Sequence, residues 1–119
     1  MPYTIEEKKT YPNPVDAVYA AALGAVEGLE GKVVNQDSEA GTIEVKFNKT
    51  IHGKVLGDRT EAKITLRANE ESPDATDVSA TIYPIDPVGR KLMFGARKGV
   101  PRTVLNWFFA HIEHRLDNE

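Results

Sequence analysis

The 119-residue chain is 40% hydrophobic and 28% charged, the balance of a single globular domain over residues 1–119 rather than of a disordered segment. It contains no cysteine, which excludes disulfides, thiolate chemistry and cysteine-held zinc, and favours a reducing, cytoplasmic setting. The net charge of −3 is uneven: residues 1–89 carry nine Lys/Arg against fifteen Asp/Glu, and residues 90–119 carry six against three. An acidic body of this kind argues against nucleic-acid binding, which needs a basic face to displace counterions from phosphates.

Tyr3 and Ile5 alternate with Thr4 and Glu6, as in a short first strand. Asn13-Pro14 then predicts a helix start, with Asn13 as the cap and Pro14 in the first turn, where a missing N–H costs nothing. Val15, Val18, Ala22, Ala25 and Leu29 recur at spacings of three and four, so one face is apolar. That face is thin enough for the helix to sit close to a sheet, and Gly28 and Gly31 mark its end. Residues 32–36 predict a strand and residues 37–41 a turn.

Three alternating segments follow. Ile43, Val45 and Phe47 share a face in the first, Ala62, Ile64 and Leu66 in the second, and Val78, Ala80 and Ile82 in the third. Such a meander has one wet face and one that needs covering, and the two helices are the available cover. Residues 49–59 read as a twisted hairpin tip or a loop, and residues 86–99 as a loop that could hold one more edge strand. The last helix is predicted to begin near Pro101, with Leu105, Phe108, Phe109, Ile112 and Leu116 on a single stripe. Trp107 falls on its back, beside Val104 and His111. Either Leu92, Met93 and Phe94 cover that ring, or it marks a binding surface.

The resulting fold class is α+β, an antiparallel sheet in the order β-α-β-β-β-β-α that grips a C-terminal helix. This order resembles small helix-grip, TATA-binding-protein-like domains. Residues 11–23 (Tyr-Pro-Asn-Pro-Val-Asp-Ala-Val-Tyr-Ala-Ala-Ala-Leu), followed by Lys32-Val33-Val34 and Gly41-Thr42-Ile43-Glu44, resemble bacterial domains of the BamC lipoprotein type. The lipoprotein signal and lipidated cysteine are missing, so an outer-membrane assembly role is not implied. A second resemblance is to Bet v 1/START-like proteins, which enclose apolar ligands under a long C-terminal helix and add elements for which this chain has little room.

Chemistry-bearing patterns are sparse. His111 and His114 lie three apart on the last helix, but the only other histidine is the distant His52, so no metal site and no cofactor is expected. No serine has the setting of a nucleophile, and the strand carboxylates face outward by the alternation. What stands out is a basic stretch, Arg90, Lys91, Arg97, Lys98 and Arg102, with Gly95 and Gly99 just before a helix start; it lacks the lysine and hydroxyl ending of a phosphate loop. These residues, with Trp107 and His111, are the candidate binding residues. The expected function is a non-catalytic binding module that meets a protein or a small anionic or amphipathic ligand through the last helix and the basic loop. The alternative is a START-like carrier or enzyme with an apolar cavity between sheet and helix. No apolar run approaches the roughly 18 residues of a membrane span, and residues 1–9 lack the apolar core of a signal peptide.

Overall fold

A computed structural model describes residues 3–92, 95–97 and 99–117. Among them, seven strands and two helices follow one another as β1 (Ile5–Tyr11), α1 (Val15–Gly28), β2 (Lys32–Asp37), β3 (Thr42–Phe47), β4 (Thr50–Ile51), β5 (Lys54–Val55), β6 (Arg59–Ala68), β7 (Thr76–Ile85) and α2 (Val100–Asp117). The main sheet has the order β1-β7-β6-β3-β2 and is antiparallel throughout, while β4 and β5 form a separate small hairpin. Ala62 pairs with both Val45 and Ile82, and Ile64 with both Ile43 and Ala80, so the apolar alternations of the three central strands fall on one face.

That face carries Ile43, Val45, Phe47, Ile64, Leu66, Val78, Ala80 and Ile82, all at most 2% exposed, as the alternation predicts. Leu105, Phe108, Phe109 and Ile112 of α2 are equally buried against it, and the rings of Phe108 and Phe109 meet edge to face at 5.6 Å. Burial this complete leaves no water-sized void along these side chains. The layer between sheet and α2 is filled by the chain itself.

Several local expectations change. The first strand runs on to Tyr11, because Lys9 and Tyr11 have partners on α2 that hold it against the sheet edge. Pro14, not Asn13, sits at the cap of α1; the Asn13 carbonyl instead accepts a hydrogen bond from the buried Thr76 hydroxyl at 2.7 Å, and no side chain caps the helix. The thin face of α1 packs mainly on α2 rather than on the sheet, with Gly24 against Arg115 and Gly28 against His111. A methyl group at Gly24 would meet only the guanidinium end of Arg115, which can swing aside, whereas one at Gly28 would press on the His111 ring at 2.9 Å. Residues 86–92 form a turn that closes in a single bridge, Ile85 to Lys91, not a further strand. Among the described residues no helix is long and apolar enough to cross a membrane.

Candidate functional site

The basic stretch does not converge on one point. Arg90 is spent within its own turn: Asp86 accepts the N–H groups of Arg90 (2.9 Å) and Val88 (3.0 Å), and its second oxygen lies 3.5 Å from the Arg90 guanidinium. The Arg90 N–H is the first cause that holds the Asp86 carboxyl below its ordinary range. The Lys91 ammonium sits 4.4 Å over the Tyr83 ring. Arg97 donates its backbone N–H to Asp58 at 2.5 Å and lays its side chain over Gly57, while Arg102 pairs with Glu7 on β1. Lys98, and Met93 and Phe94 of the segment expected to cover Trp107, lie outside the described residues. The charged groups of Arg90, Lys91 and Arg102 thus each have an acidic or aromatic partner of their own, whereas Arg97 is tied through its backbone N–H.

Trp107 and His111 do come together. One turn apart on α2, they line an open cleft of about 410 Å³ with Ala110, Leu29 from the end of α1, and Ile51, His52 and Lys54 from the β4–β5 hairpin. Trp107 is half-buried against the edge of the core, and the Lys54 ammonium stands 5.5 Å from its ring centroid. Ile51 is buried and anchors the hairpin, whose chain is closed by the N–H groups of Leu56 and Gly57, both donating to the Lys49 carbonyl. It is thus the hairpin, out of residues 49–59, that forms a wall beside Trp107.

Two strained backbones hold this wall. His52 (φ +51) and Gly53 (φ +79) are the two turn residues of the hairpin, both left-handed as a two-residue connection of right-twisted strands requires. Glu30 (φ +61) takes the left-handed position after α1, where glycine is the usual occupant; Gly31 N–H closes the helix end on the Val26 carbonyl at 2.8 Å. The two strained residues are tied together, His52 N–H donating to the Glu30 carboxylate at 2.8 Å. The His52 ring reaches the Gly28 carbonyl at 2.5 Å; a carbonyl only accepts, so Nε2 carries the proton and satisfies a free carbonyl of the last turn of α1.

Beside it, His111 has no hydrogen-bond partner among the described residues, and its imidazole faces Gly28 and the cleft. Burial first, then the positive fields of Arg115, His52 and His114, push its pKa below the ordinary histidine value, so at neutral pH the ring is uncharged. Among the described residues no group of three metal-ligating side chains is assembled.

A larger depression, about 720 Å³, lies on the outer face of the sheet between Lys8, Thr65, Arg67, Glu70, Glu71, Asp77 and Ser79. Its lining is polar and of mixed sign, and Asp77 is already bound by Thr10 (2.7 Å) and Asn69 (2.9 Å). It lacks the apolar floor that makes a ligand site worth entering.

The cleft was legible in part. Trp107 and His111 were visible as residues off the core stripe, whereas Ile51, His52 and Lys54 carry no motif; only a His-Gly pair flanked by Thr-Ile and Lys-Val hints at a tight turn.

No protein-family model and no curated protein matches the chain. Solved structures do. It is similar to Ara h 8.0201 (TM-score 0.65, 14% identity, covering 97% of this chain and 98% of that one). It is also similar to protein MLL2253 from Mesorhizobium loti (TM-score 0.62, 14% identity, 97% of each chain). A third likeness is to the di-domain ARO/CYC StfQ of the steffimycin biosynthetic pathway (TM-score 0.60, 10% identity), covering 91% of this chain but only 43% of StfQ. At such identities the likeness establishes the fold, an α+β helix grip of the Bet v 1 kind, and leaves the chemistry to the site. It supports the Bet v 1/START-like half of the resemblance; the BamC half rests on the short texts of residues 11–23, 32–34 and 41–44 alone.

Proposed function

We propose that this protein is a non-catalytic binding module whose ligand site is the Trp107 cleft, and that it takes a small amphipathic molecule there. The observation that carries this is the composition of the cleft. Leu29, Ile51, Ala110 and the Trp107 ring give an apolar floor, and Lys54, His52 and His111 give a polar rim, within a volume in the roughly 300–1,000 Å³ range of small-molecule sites. The alternative, a carrier with its ligand between sheet and α2, finds no support in a layer whose central side chains, Phe47, Ile64, Ile82, Leu105, Phe108 and Ile112 among them, are at most 2% exposed. The basic stretch contributes to the fold's edges through Asp86, Asp58 and Glu7, so it enters the reading as a neighbour of the site rather than its centre. The cysteine-free composition supports a cytoplasmic setting.

Trp107 is the chain's one tryptophan, so its fluorescence reports the cleft alone. Titration with 1-anilinonaphthalene-8-sulfonate should quench Trp107 and light the dye by energy transfer. Ala110→Arg, which fills the cleft from an exposed helix position, should abolish both without lowering the unfolding midpoint. Equal dye binding by the native protein and by Ala110→Arg would place the ligand elsewhere.

A further inference from the structure

Resting on that reading of the cleft, we propose that its ligand is a small aromatic monocarboxylate, with the ring on the Leu29–Ile51–Trp107 floor and the carboxylate between Lys54 and His111. Charge decides the class. Among the described residues, the side chains that line the cleft include one ammonium and two imidazoles and no carboxylate. The Glu30 carboxylate accepts the His52 N–H but does not line the cleft. Behind His111 stand Arg115 and His114, which add positive field and no compensating negative one. Among the described residues Lys54 forms no ion pair, its recorded contact being the Trp107 ring, and the His111 ring nitrogens have no protein partner. Both groups are therefore available to an acceptor.

One full positive charge with neutral donors suits one negative charge. A phosphate would need the guanidinium fork or the convergent backbone N–H groups typical of phosphate sites, and neither lines this cleft. The aromatic part follows from the floor: a flat indole face and two branched aliphatic side chains present more apolar contact to a planar ring than to a polar body. His111 adds a pH dependence. A neutral imidazole offers the carboxylate one N–H; a protonated one offers a second donor and a charge. Glu30, His52, Lys54, His114 and Arg115 are the titratable or charged groups around it, four of them cationic or able to become so and one, Glu30, an acid that does not line the cleft.

Calorimetric titration of the full chain with naphthalene-2-carboxylate and with naphthalene-2-carboxamide, at about pH 8 and about pH 6, tests this, with circular dichroism to show the same fold at both. The carboxylate should bind about tenfold tighter than the carboxamide, and about threefold tighter at the lower pH. Lys54→Met should remove the preference for the charge, and His111→Gln should remove the pH gain while the ring still binds. Equal, pH-independent affinity for both probes overturns the carboxylate assignment and leaves the amphipathic cleft standing. Failure of both probes alongside dye binding that Ala110→Arg blocks rejects the aromatic acid alone. A concentration-dependent dimer in sedimentation, dissolved by Ala110→Arg, would give the cleft to a second copy of the chain and also overturn the assignment.

Discussion

Thr60 shows how a single side chain can report on unfinished packing. It is fully buried on the inner face of β6, opposite Phe47, and its hydroxyl has no hydrogen-bond partner among the described residues. A buried hydroxyl left unpaired costs more than the apolar group of the same shape, so Thr60→Val should stabilise the domain by about 1 kcal/mol, read as a higher urea midpoint at unchanged slope. Trp107 lies between core and surface. Its ring is half-buried and partly faced by Lys54, so Trp107→Ala should cost about 2 kcal/mol, less than the roughly 3–5 kcal/mol expected for Phe108→Ala in the filled core. Thermal unfolding of the two variants side by side checks the order; an equal loss would mean that Trp107 is a core residue and the cleft an accident of its edge.

Among the elements, the β4–β5 hairpin is the one whose stability and position have separate sources. Two residues per strand cannot hold a hairpin in water, so its position depends on the burial of Ile51 and on the ties from His52 to Glu30 and Gly28. Glu30→Gly separates the two contributions. It relieves a left-handed backbone at the end of α1 while it deletes the tie, so global stability should stay within about 0.5 kcal/mol. The amides of Leu56 and Gly57, which close the hairpin on the Lys49 carbonyl, should nevertheless exchange faster. If their exchange is unchanged, Ile51 alone holds the wall of the cleft.

At the scale of the whole molecule, one line of charges fastens the edge of the sheet to α2. Glu113 accepts from Tyr11 (2.8 Å) and Lys9 (3.1 Å), Lys9 also lies 3.8 Å from Glu7, and Glu7 holds Arg102. Burial works to raise the Glu113 pKa, but its hydrogen bonds from Tyr11 and Lys9 outweigh it and the net shift is downward. Burial raises the Tyr11 hydroxyl well above its ordinary value, helped by the Glu113 carboxylate it faces. Tyr83 on the outer face is pushed up to about 12, first by burial and then by its bond to Glu61. A carboxylate with a depressed folded pKa contributes stability that is present above its unfolded pKa and is lost as pH falls through the folded one. A histidine with a depressed pKa acts in the same direction, because the unfolded chain takes up its proton first. Glu113 and His111 therefore both make the domain less stable on acidification: His111 as pH falls through the ordinary histidine value, Glu113 as it falls through the ordinary carboxylate range. Urea midpoints measured against pH should fall in two stages, with the upper one flattened by His111→Gln and the lower one by Glu113→Gln.

The periodicities of residues 43–47, 62–66 and 78–82 and the stripe Leu105 to Leu116 were enough to determine the sheet, its wet and dry faces and the helix it grips. Burial on one face is a repeating local constraint, and the chain writes it at every second or third residue. Tertiary structure alone decided where the cations went and what stands beside Trp107. Arg90, Arg97 and Arg102 are neighbours in sequence, yet the Arg90 and Arg102 guanidinium groups go to Asp86 and Glu7, while Arg97 is held by its backbone N–H on Asp58. Trp107, His111, His52 and Lys54 are separated by about half the chain, and they meet because α1 packs on α2 with Gly28 against the His111 ring, which brings the last turn of α1 within reach of the hairpin. Pairings of that kind are fixed by which elements pack together, a long-range geometric outcome that no local spacing of residues encodes.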